Sequence, residues 1–253
     1  MHKSGGEQKM RTEIIYEDKD VLVIYKPAGL ATQSARVGQA DVVSELKSYL
    51  VQRSAGKGTA RERNVPYLGI IHRLDQPVEG LLVFGKNKSA SAKLTEQLRA
   101  GEGLLTKRYY AVVCGKPAAD EARLVDEMYK DTNGKAQIPG KTDAKIADAK
   151  PAILEYRLLK SIGISEKEVS LVDISIETGR FHQIRAQMAH AGLPLLGDAK
   201  YGNEETMLLS GELSVRNVAL CAYGLEFMHP VTKEKKQFRI KPRADVFSKF
   251  DHK

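Results

Sequence analysis

The chain has 253 residues, 42% hydrophobic and 6% aromatic with no tryptophan, and a formal net charge of +8. That length is ample for a buried core, and the basic balance points to a polyanionic partner, nucleic acid or an anionic membrane surface. Two scattered cysteines, Cys114 and Cys221, exclude a disulfide framework and a zinc cluster; both sit in apolar runs and read as buried, reduced thiols of a cytoplasmic protein.

The opening stretch "MHKSGGEQKMRTE" is polar, with nothing resembling a signal peptide. No apolar run reaches the length needed to cross a bilayer. The sequence "IIYEDKDVLVIYKPAGLATQ" then predicts two short strands around a turn at Asp18–Asp20, the second ending at Lys26-Pro27-Ala28-Gly29. Asp41 is placed as an N-cap, with Val43, Leu46 and Leu50 on one face of the helix it starts. Residues 53–66 read as a basic surface loop carrying Arg53, Lys57, Arg61 and Arg63.

In "GIIHRLDQPVEGLLVFGKN" the acid Asp75 lies between β-like runs at 68–71 and Leu81–Phe84, two residues after Arg73. Asn87 is placed as the cap of a helix with Ala90, Leu94 and Leu98 on one face, closed by Gly101. "KRYYAVVCGKP" predicts another strand. Residues 118–150 are polar, with Asn133-Gly134 and Pro139-Gly140 turn signals, and read as a hairpin excursion rather than a further domain. "ILEYRLL" and "VSLVDISIE" predict strands. In the second, Val172, Ile174 and Ile176 are expected to be buried and Asp173, Ser175 and Glu177 to face water. "TGRFHQIRAQMAHAGLP" turns at Thr178-Gly179 into a short helix with Ile184 and Met188 as its apolar pair, stopped by Gly192 and Pro194. The remaining "CAYGLEFMHPVTKEKKQFRIKP" predicts a strand pair. Strands outnumber helices and several connections are too short for crossover helices, so the fold class is α+β on a largely antiparallel or mixed sheet.

The chemistry narrows by exclusion. His182 and His190 are eight apart with no i, i+4 partner, and no Cys–His or His–Glu cluster has ligand spacing, so no metal is expected. The nucleophile elbow G-x-S-x-G and the phosphate loops G-x-G-x-x-G and G-x-x-x-x-G-K-[ST] are absent, so no cofactor is expected either. What remains is Asp75 in a turn between apolar runs, and Arg180, His182 and Arg185 at a strand-to-helix turn. The second grouping suits an anion such as a phosphate or carboxylate. A lone Asp in this setting is most often a turn residue, so the residues alone reach a basic, cofactor-free protein with an acid and arginines.

Four ordered stretches go further. "LVIYKPAGL", "HRLD" with Gly80 and "LLVFGKN", "KRYYAVVCGK", and "TGRFHQIRAQMAHAGLPLLGDAKYG" together resemble the motifs of the RluA-type pseudouridine synthases, from about residue 13 to residue 243. The resemblance implies the pseudouridine synthase fold and isomerisation of uridines in ribosomal or transfer RNA, without a cofactor. It implies Asp75 as the essential aspartate, Tyr109 as the active-site tyrosine and Arg185 as the basic residue paired with that aspartate. Arg73 matches the arginine thought to open the RNA stack, and Ile184 an apolar position of the uracil pocket; His72, Lys107, Arg180, His182 and Gln183 complete the substrate-binding set. Phosphate contacts are expected from the 53–63 loop and the Lys233–Lys241 stretch.

The chain also departs from the family's pattern. Val78 and Glu79 replace small hydroxyl residues, Phe181 stands where a polar residue is usual, and Gln187 where histidine is common. Glu79 is expected to face outward, away from Asp75. Residues 1–12 read as a polar tail and 13–245 as a single catalytic domain, without the separate N-terminal RNA-binding domain of some relatives; a monomer is the expected state. The rival readings are a non-catalytic RNA-binding or ribosome-assembly protein on the same fold, and a glycosylase that would leave an abasic sugar.

Overall fold

The structure is a computed structural model that describes residues 10–34, 36, 38–54, 66–100, 103–140, 146, 148–164 and 166–251. Most of the expected polar tail, the basic loop from 55 to 65 and the helix stop at Gly101 therefore lie outside the described residues. Arg53, at the loop's start, pairs with Glu17 at 2.6 Å.

The first hairpin joins β1 (Glu13–Glu17) to β2 (Val21–Lys26). Its turn is set by Asp18, whose Oδ1 accepts from the N–H groups of Asp20 and Val21, both at 2.8 Å. Helix α1 (Val42–Ser54) follows, and Asp41 caps it by accepting from the Ser44 N–H at 2.7 Å. Next come β3, only Gly69–Ile70, and the fully buried β4 (Glu79–Gly85). Asn87 caps α2 (Lys88–Ala100), accepting from the Ala90 N–H at 2.8 Å.

Strands β5 (Leu105–Cys114), β6 (Glu121–Lys130), β7 (Ala136–Gln137), β8 (Lys150–Ile164) and β9 (Lys167–Ile176) make up the middle of the chain. Then come α3 (Gln183–His190), α4 (Glu204–Glu212), which the sequence reading did not single out, β10 (Leu220–Met228), β11 (Lys235–Arg239) and a 3₁₀ turn at Asp245–Phe250.

The strands form one sheet in the order β1-β2-β4-β10-β5-β9-β8-β6-β7, with β3 beside β4 and β11 beside β10. Among the described strands every pairing is antiparallel except β4 with β10, so the α+β, mostly antiparallel expectation holds. The excursion at 118–150 does turn at Asn133-Gly134, but its long strand β6 pairs with β8 and extends the main sheet.

One face of the sheet packs Leu22, Ile24, Leu82, Phe84, Val172 and Ile174 against Leu46 of α1 and Met188 of α3. The other face packs Val21, Val23, Leu81 and Val83 against Leu94 of α2, and Val112 and Cys221 against Phe247 and Phe250. Where β4 meets β10, Gly80 has φ +135°, and a Cβ there would lie 2.5 Å from the Ala222 carbonyl oxygen. The two strands can approach only because this residue is glycine.

Two expectations about facing are corrected. Asp173 does not face water: it is 5% exposed, accepts from Tyr223 Oη at 3.1 Å and pairs with Arg108 and Arg157. Strand alternation marks a face, but here side chains of neighbouring strands, Tyr223, Arg108 and Arg157, lie over Asp173 on the second face, so a polar residue on it is buried. Glu79 does not face outward either. It is 3% exposed and accepts from Tyr25 Oη at 2.5 Å and from the N–H groups of Arg243 and Ala244 at 3.1 Å. It belongs to the face of Leu81 and Val83, on the opposite side of β4 from the core beside Asp75, and it fastens the C-terminal segment to the sheet.

Candidate active site

A cleft of about 1800 Å³ runs over the middle of the sheet and is lined by Asp75 and all nine other residues expected at the site. A second, shallower cleft of about 750 Å³, between α2 and Tyr67–Ile70, contains none of them. The larger cleft carries seven Lys or Arg side chains against four Asp or Glu, so its field favours an anionic ligand.

Asp75 sits in the segment that leads into β4, and that segment is tied to the chain after β2. Thr32 Oγ1 donates to the Leu74 carbonyl at 2.8 Å and accepts from the Leu74 N–H at 3.2 Å, while the Gly29 N–H reaches the Gln76 carbonyl at 2.8 Å. Behind it lies Lys26, fully buried, whose ammonium donates to the carbonyls of Pro27, Leu30 and Gln76 at 3.0, 2.7 and 3.2 Å. Burial pulls the Lys26 pKa down to about 7, against the upward pull of Asp75.

Arg185 projects from α3 and is 5% exposed. Its Nη1 donates to Asp75 Oδ2 at 3.1 Å, while Nε and Nη2 form a two-pronged pair with Asp198, each at 2.7 Å. Asp198 is fully buried and also accepts from the backbone N–H groups of Lys200 and Tyr201. The guanidinium is thus oriented by Asp198 and presents its remaining edge to Asp75. Burial would lower the Arg185 pKa, but Asp198 and then Asp75 reverse that and hold it above the usual arginine value.

His182 precedes α3 in the left-handed conformation, φ 53°, which turns the chain back toward the cleft. Its Nδ1 lies 2.9 Å from Tyr201 Oη and its Nε2 3.6 Å from Asp75 Oδ2. Tyr201 Oη already accepts from the Ala136 N–H at 2.8 Å, so its own proton is free to point at Nδ1. That arrangement leaves the imidazole proton on Nε2, facing Asp75. Burial pulls the His182 pKa down to about 4 despite Asp75.

Tyr109, on β5, is 5% exposed, and burial, then Asp75, pushes its phenol above the usual tyrosine range. It therefore stays a neutral hydroxyl. Lys107, two residues earlier, is brought down to about 8 by burial. His72 Nε2 accepts from the Val83 N–H at 3.4 Å, which places its proton on Nδ1, a buried atom with no partner among the described residues. Burial, then Lys107, pulls its pKa down to about 3.

Arg73 is exposed on the cleft wall, and Ile184 is buried there. Gln183 serves the turn itself. Its Oε1 accepts from Thr178 Oγ1 and the Arg180 N–H, and its Nε2 donates to the Ile153 carbonyl. Arg180 Nε in turn donates to the Pro151 carbonyl at 2.8 Å. In the Lys233–Lys241 stretch, Lys235 and Lys236 pair with Glu226 and Glu234, and Arg239 reaches the cleft.

The sequence reading missed Asp198, Tyr201 and Lys26 as parts of this site. The first two lie in the quoted run "GDAKYG" and the third in "YKPAGL". Their local backbone contacts do not mark them as site residues; what does is Arg185 for Asp198, His182 for Tyr201 and the Gln76 carbonyl beside Asp75 for Lys26.

Comparison with known proteins bears on this arrangement. The sequence profile of the family described as RNA pseudouridylate synthase matches residues 20–190. A ribosomal large subunit pseudouridine synthase C of Rickettsia bellii is 38% identical over 201 residues, which is 79% of this chain but 60% of that protein. A ribosomal large subunit pseudouridine synthase D of Zymomonas mobilis is 32% identical, covering 94% of this chain and 72% of that one. The chain thus spans less than two thirds of the Rickettsia relative's length. The human RNA pseudouridylate synthase domain containing 4 superposes with a TM-score of 0.69 at 23% identity, over 91% of this chain and 89% of that one, which shows the shared fold.

Proposed function

Because the chain belongs to the RNA pseudouridylate synthase family, we propose that it isomerises uridines in structured RNA to pseudouridine, with Asp75 as the catalytic carboxylate. The observation that carries this reading is the chain Asp198–Arg185–Asp75: a fully buried acid fixes an arginine whose free edge meets an acid at the wall of a basic cleft.

The reaction breaks the N1–C1′ bond of the uridine, rotates the detached uracil and forms a C5–C1′ bond. N1 gains a proton and C5 loses one, so mass is unchanged. The sugar carbon becomes electron-deficient as the first bond breaks, and a carboxylate can trap or stabilise it. Attack at C1′, addition to the base and removal of a sugar proton are the three roles open to Asp75, and each starts from its anion. Arg185 opposes the repulsion between that anion and the phosphates nearby. Tyr109 supplies a neutral ring for stacking on uracil and a hydroxyl for proton transfer. His182 presents an N–H toward the same carboxylate.

A target uridine inside a stem or loop has to be extruded, at a cost of roughly a few kcal/mol. Exposed Arg73 fills the role of propping the opened stack, and Arg180, Arg239 and Lys107 supply phosphate contacts. Ribosomal RNA is the favoured substrate, since the relatives named above are ribosomal synthases, with transfer RNA as a second target class. The site of action is then the cytoplasm; among the described residues no helix is long and apolar enough to cross a membrane. A single catalytic domain that works as a monomer without a cofactor completes the reading.

The test is a comparison of total RNA from cells with and without the protein, treated with a carbodiimide that marks pseudouridine and mapped by reverse-transcription stops. A stop that vanishes without the protein and returns on complementation supports the reading and names the uridine. An unchanged stop pattern in well-covered RNA argues for a binding-only protein, and strand breaks at abasic sugars argue for a glycosylase.

A further inference from the structure

Phe181 is a large apolar side chain left 40% exposed on the wall of the catalytic cleft. One face of its ring lies on the His182 imidazole, centroids 3.8 Å apart and planes 20° from parallel. The Lys130 ammonium also lies over the ring, 4.8 Å from the centroid. Lys130 is an exposed residue at the end of β6, and among the described residues no carboxylate pairs with it. A second lysine of the same hairpin, Lys135, lies 5.4 Å from the Tyr201 ring, and Lys200 Nζ donates to the Gly134 carbonyl at 2.5 Å.

A single exposed apolar side chain is ordinary on a protein surface, so the setting of this ring, not its exposure, is the informative feature. This one carries the Lys130 ammonium and lies one residue from a histidine whose Nε2 is 3.6 Å from Asp75. A flat apolar face beside an exposed ammonium is the combination that holds single-stranded nucleic acid: a base stacks on the ring and the ammonium meets a phosphate. A protein partner seated here would have to desolvate the Lys130 ammonium, which has no carboxylate partner among the described residues, and burying such a charge is disfavoured.

We propose that Phe181 and Lys130 form a subsite for the nucleotide adjacent to the target uridine, its base stacked on the outer face of Phe181 and its phosphate on Lys130. The proposal rests on the reading of this cleft as the uridine site. Lys130 occupies the ring in the free protein; an incoming base replaces it there, and the released ammonium turns to that nucleotide's phosphate. Because the ring's inner face rests on His182, the base beside the target is held in register with the imidazole that faces Asp75. The subsite lends binding energy and positional preference outside the uracil pocket without touching the reacting atoms.

A further acidic-and-histidine cluster among the described residues carries no comparable inference. Asp18, Asp20 and His229 lie within 4.8 Å of one another, but Asp18 is engaged by Tyr16, His229 and two backbone N–H groups, and Asp20 by Asn87. Its polar groups satisfy each other.

The experiment uses oligouridylates that each carry one 5-iodouridine, bound to the full chain and irradiated, with the adduct mapped by mass spectrometry. The expected result is a crosslink at Phe181, together with binding roughly 5- to 100-fold weaker for Phe181→Leu and near-normal binding for Phe181→Tyr. Phe181→Leu keeps an apolar side chain against His182 and removes only the stacking face. Crosslinks confined to other residues, or equal affinity of wild type and Phe181→Leu, would overturn the subsite. Nucleosides from the same incubations are separated in parallel. A crosslink at Phe181 leaves the subsite standing even where the reverse-transcription map shows no lost stop, which rejects the isomerase, whereas pseudouridine without the crosslink does the reverse.

Discussion

Arg185 is shared unequally between two carboxylates: it holds Asp198 with two 2.7 Å contacts and Asp75 with one of 3.1 Å. The stronger grip is on the acid that is fully buried and cannot reach a substrate. Asp198 thus orients the guanidinium, and the arginine orients Asp75. Asp198→Asn keeps the size and one acceptor but removes the charge and one prong. It is expected to lower the single-turnover rate by roughly 10²-fold, the scale set by misplacing a catalytic group by about 1 Å, with RNA affinity little changed. Asp198→Ala leaves Arg185 with only the partly exposed Asp75 and is expected to cost about 3 kcal/mol or more in urea titrations. A rate unchanged in Asp198→Asn would show that the orientation of Arg185 is immaterial.

Glu79 makes the opposite kind of prediction. Its carboxylate is buried among Tyr25 Oη and the N–H groups of Arg243 and Ala244, on the sheet face away from Asp75. Glu79→Ala leaves these donors without an acceptor and is expected to destabilise the fold by about 2–4 kcal/mol. At a temperature where the variant stays folded, its isomerisation rate should match wild type, as read by tritium release alongside a circular dichroism melt.

Gly80→Ala should prevent folding rather than tune it. The added Cβ would stand 2.5–2.6 Å from three atoms of Ala222, two of them backbone, at φ +135°. Soluble expression with a native-like melt would contradict the close approach of β4 and β10.

Acid should loosen the fold through its buried histidines. In the folded chain burial brings His72 to about 3 and His182 to about 4, from an ordinary value of 6.5. Between pH 6.5 and 4 the unfolded chain therefore takes up protons that the folded chain refuses. Stability from these groups is complete above pH 6.5 and is lost as pH falls, by up to about 1.4 kcal/mol per pH unit for each. Urea titrations at about pH 6.5 and about pH 4.5 measure this loss, and His72→Gln should reduce it by roughly one proton's worth. Equal pH slopes for wild type and His72→Gln would contradict the burial of a neutral imidazole.

Local patterns made much of this fold legible. Asp41 and Asn87 could be read as caps because an acid or amide stood just before helical apolar spacing, and the cap bonds depend on residues only three positions away. The turn at Asp18–Asp20 and the strand pair β10–β11 are equally local. Glu79 and Asp173 were not legible, because each is satisfied by residues brought from far along the chain; the Arg243 N–H that bonds Glu79 is 164 positions away. An acid in an alternating strand reads as solvent-facing until the element that covers it is known. Family resemblance, not spacing, singled out Asp75, Tyr109 and Arg185. The fold then brought these three residues to one cleft and added Lys26 and Tyr201 around them.

The central claim is that Asp75 does the chemistry, and RNA carrying uridine tritiated at C5 tests it most directly. Isomerisation replaces the C5–H bond with C5–C1′, so each turnover releases tritium to water. The side chain of Asp75 is only 28% exposed and its backbone is held by neighbours, so Asp75→Asn should fold and bind RNA within about threefold of wild type. It is predicted to release no tritium above background while wild type releases it without breaking the strand. Tritium release by Asp75→Asn at a rate near wild type would contradict the account.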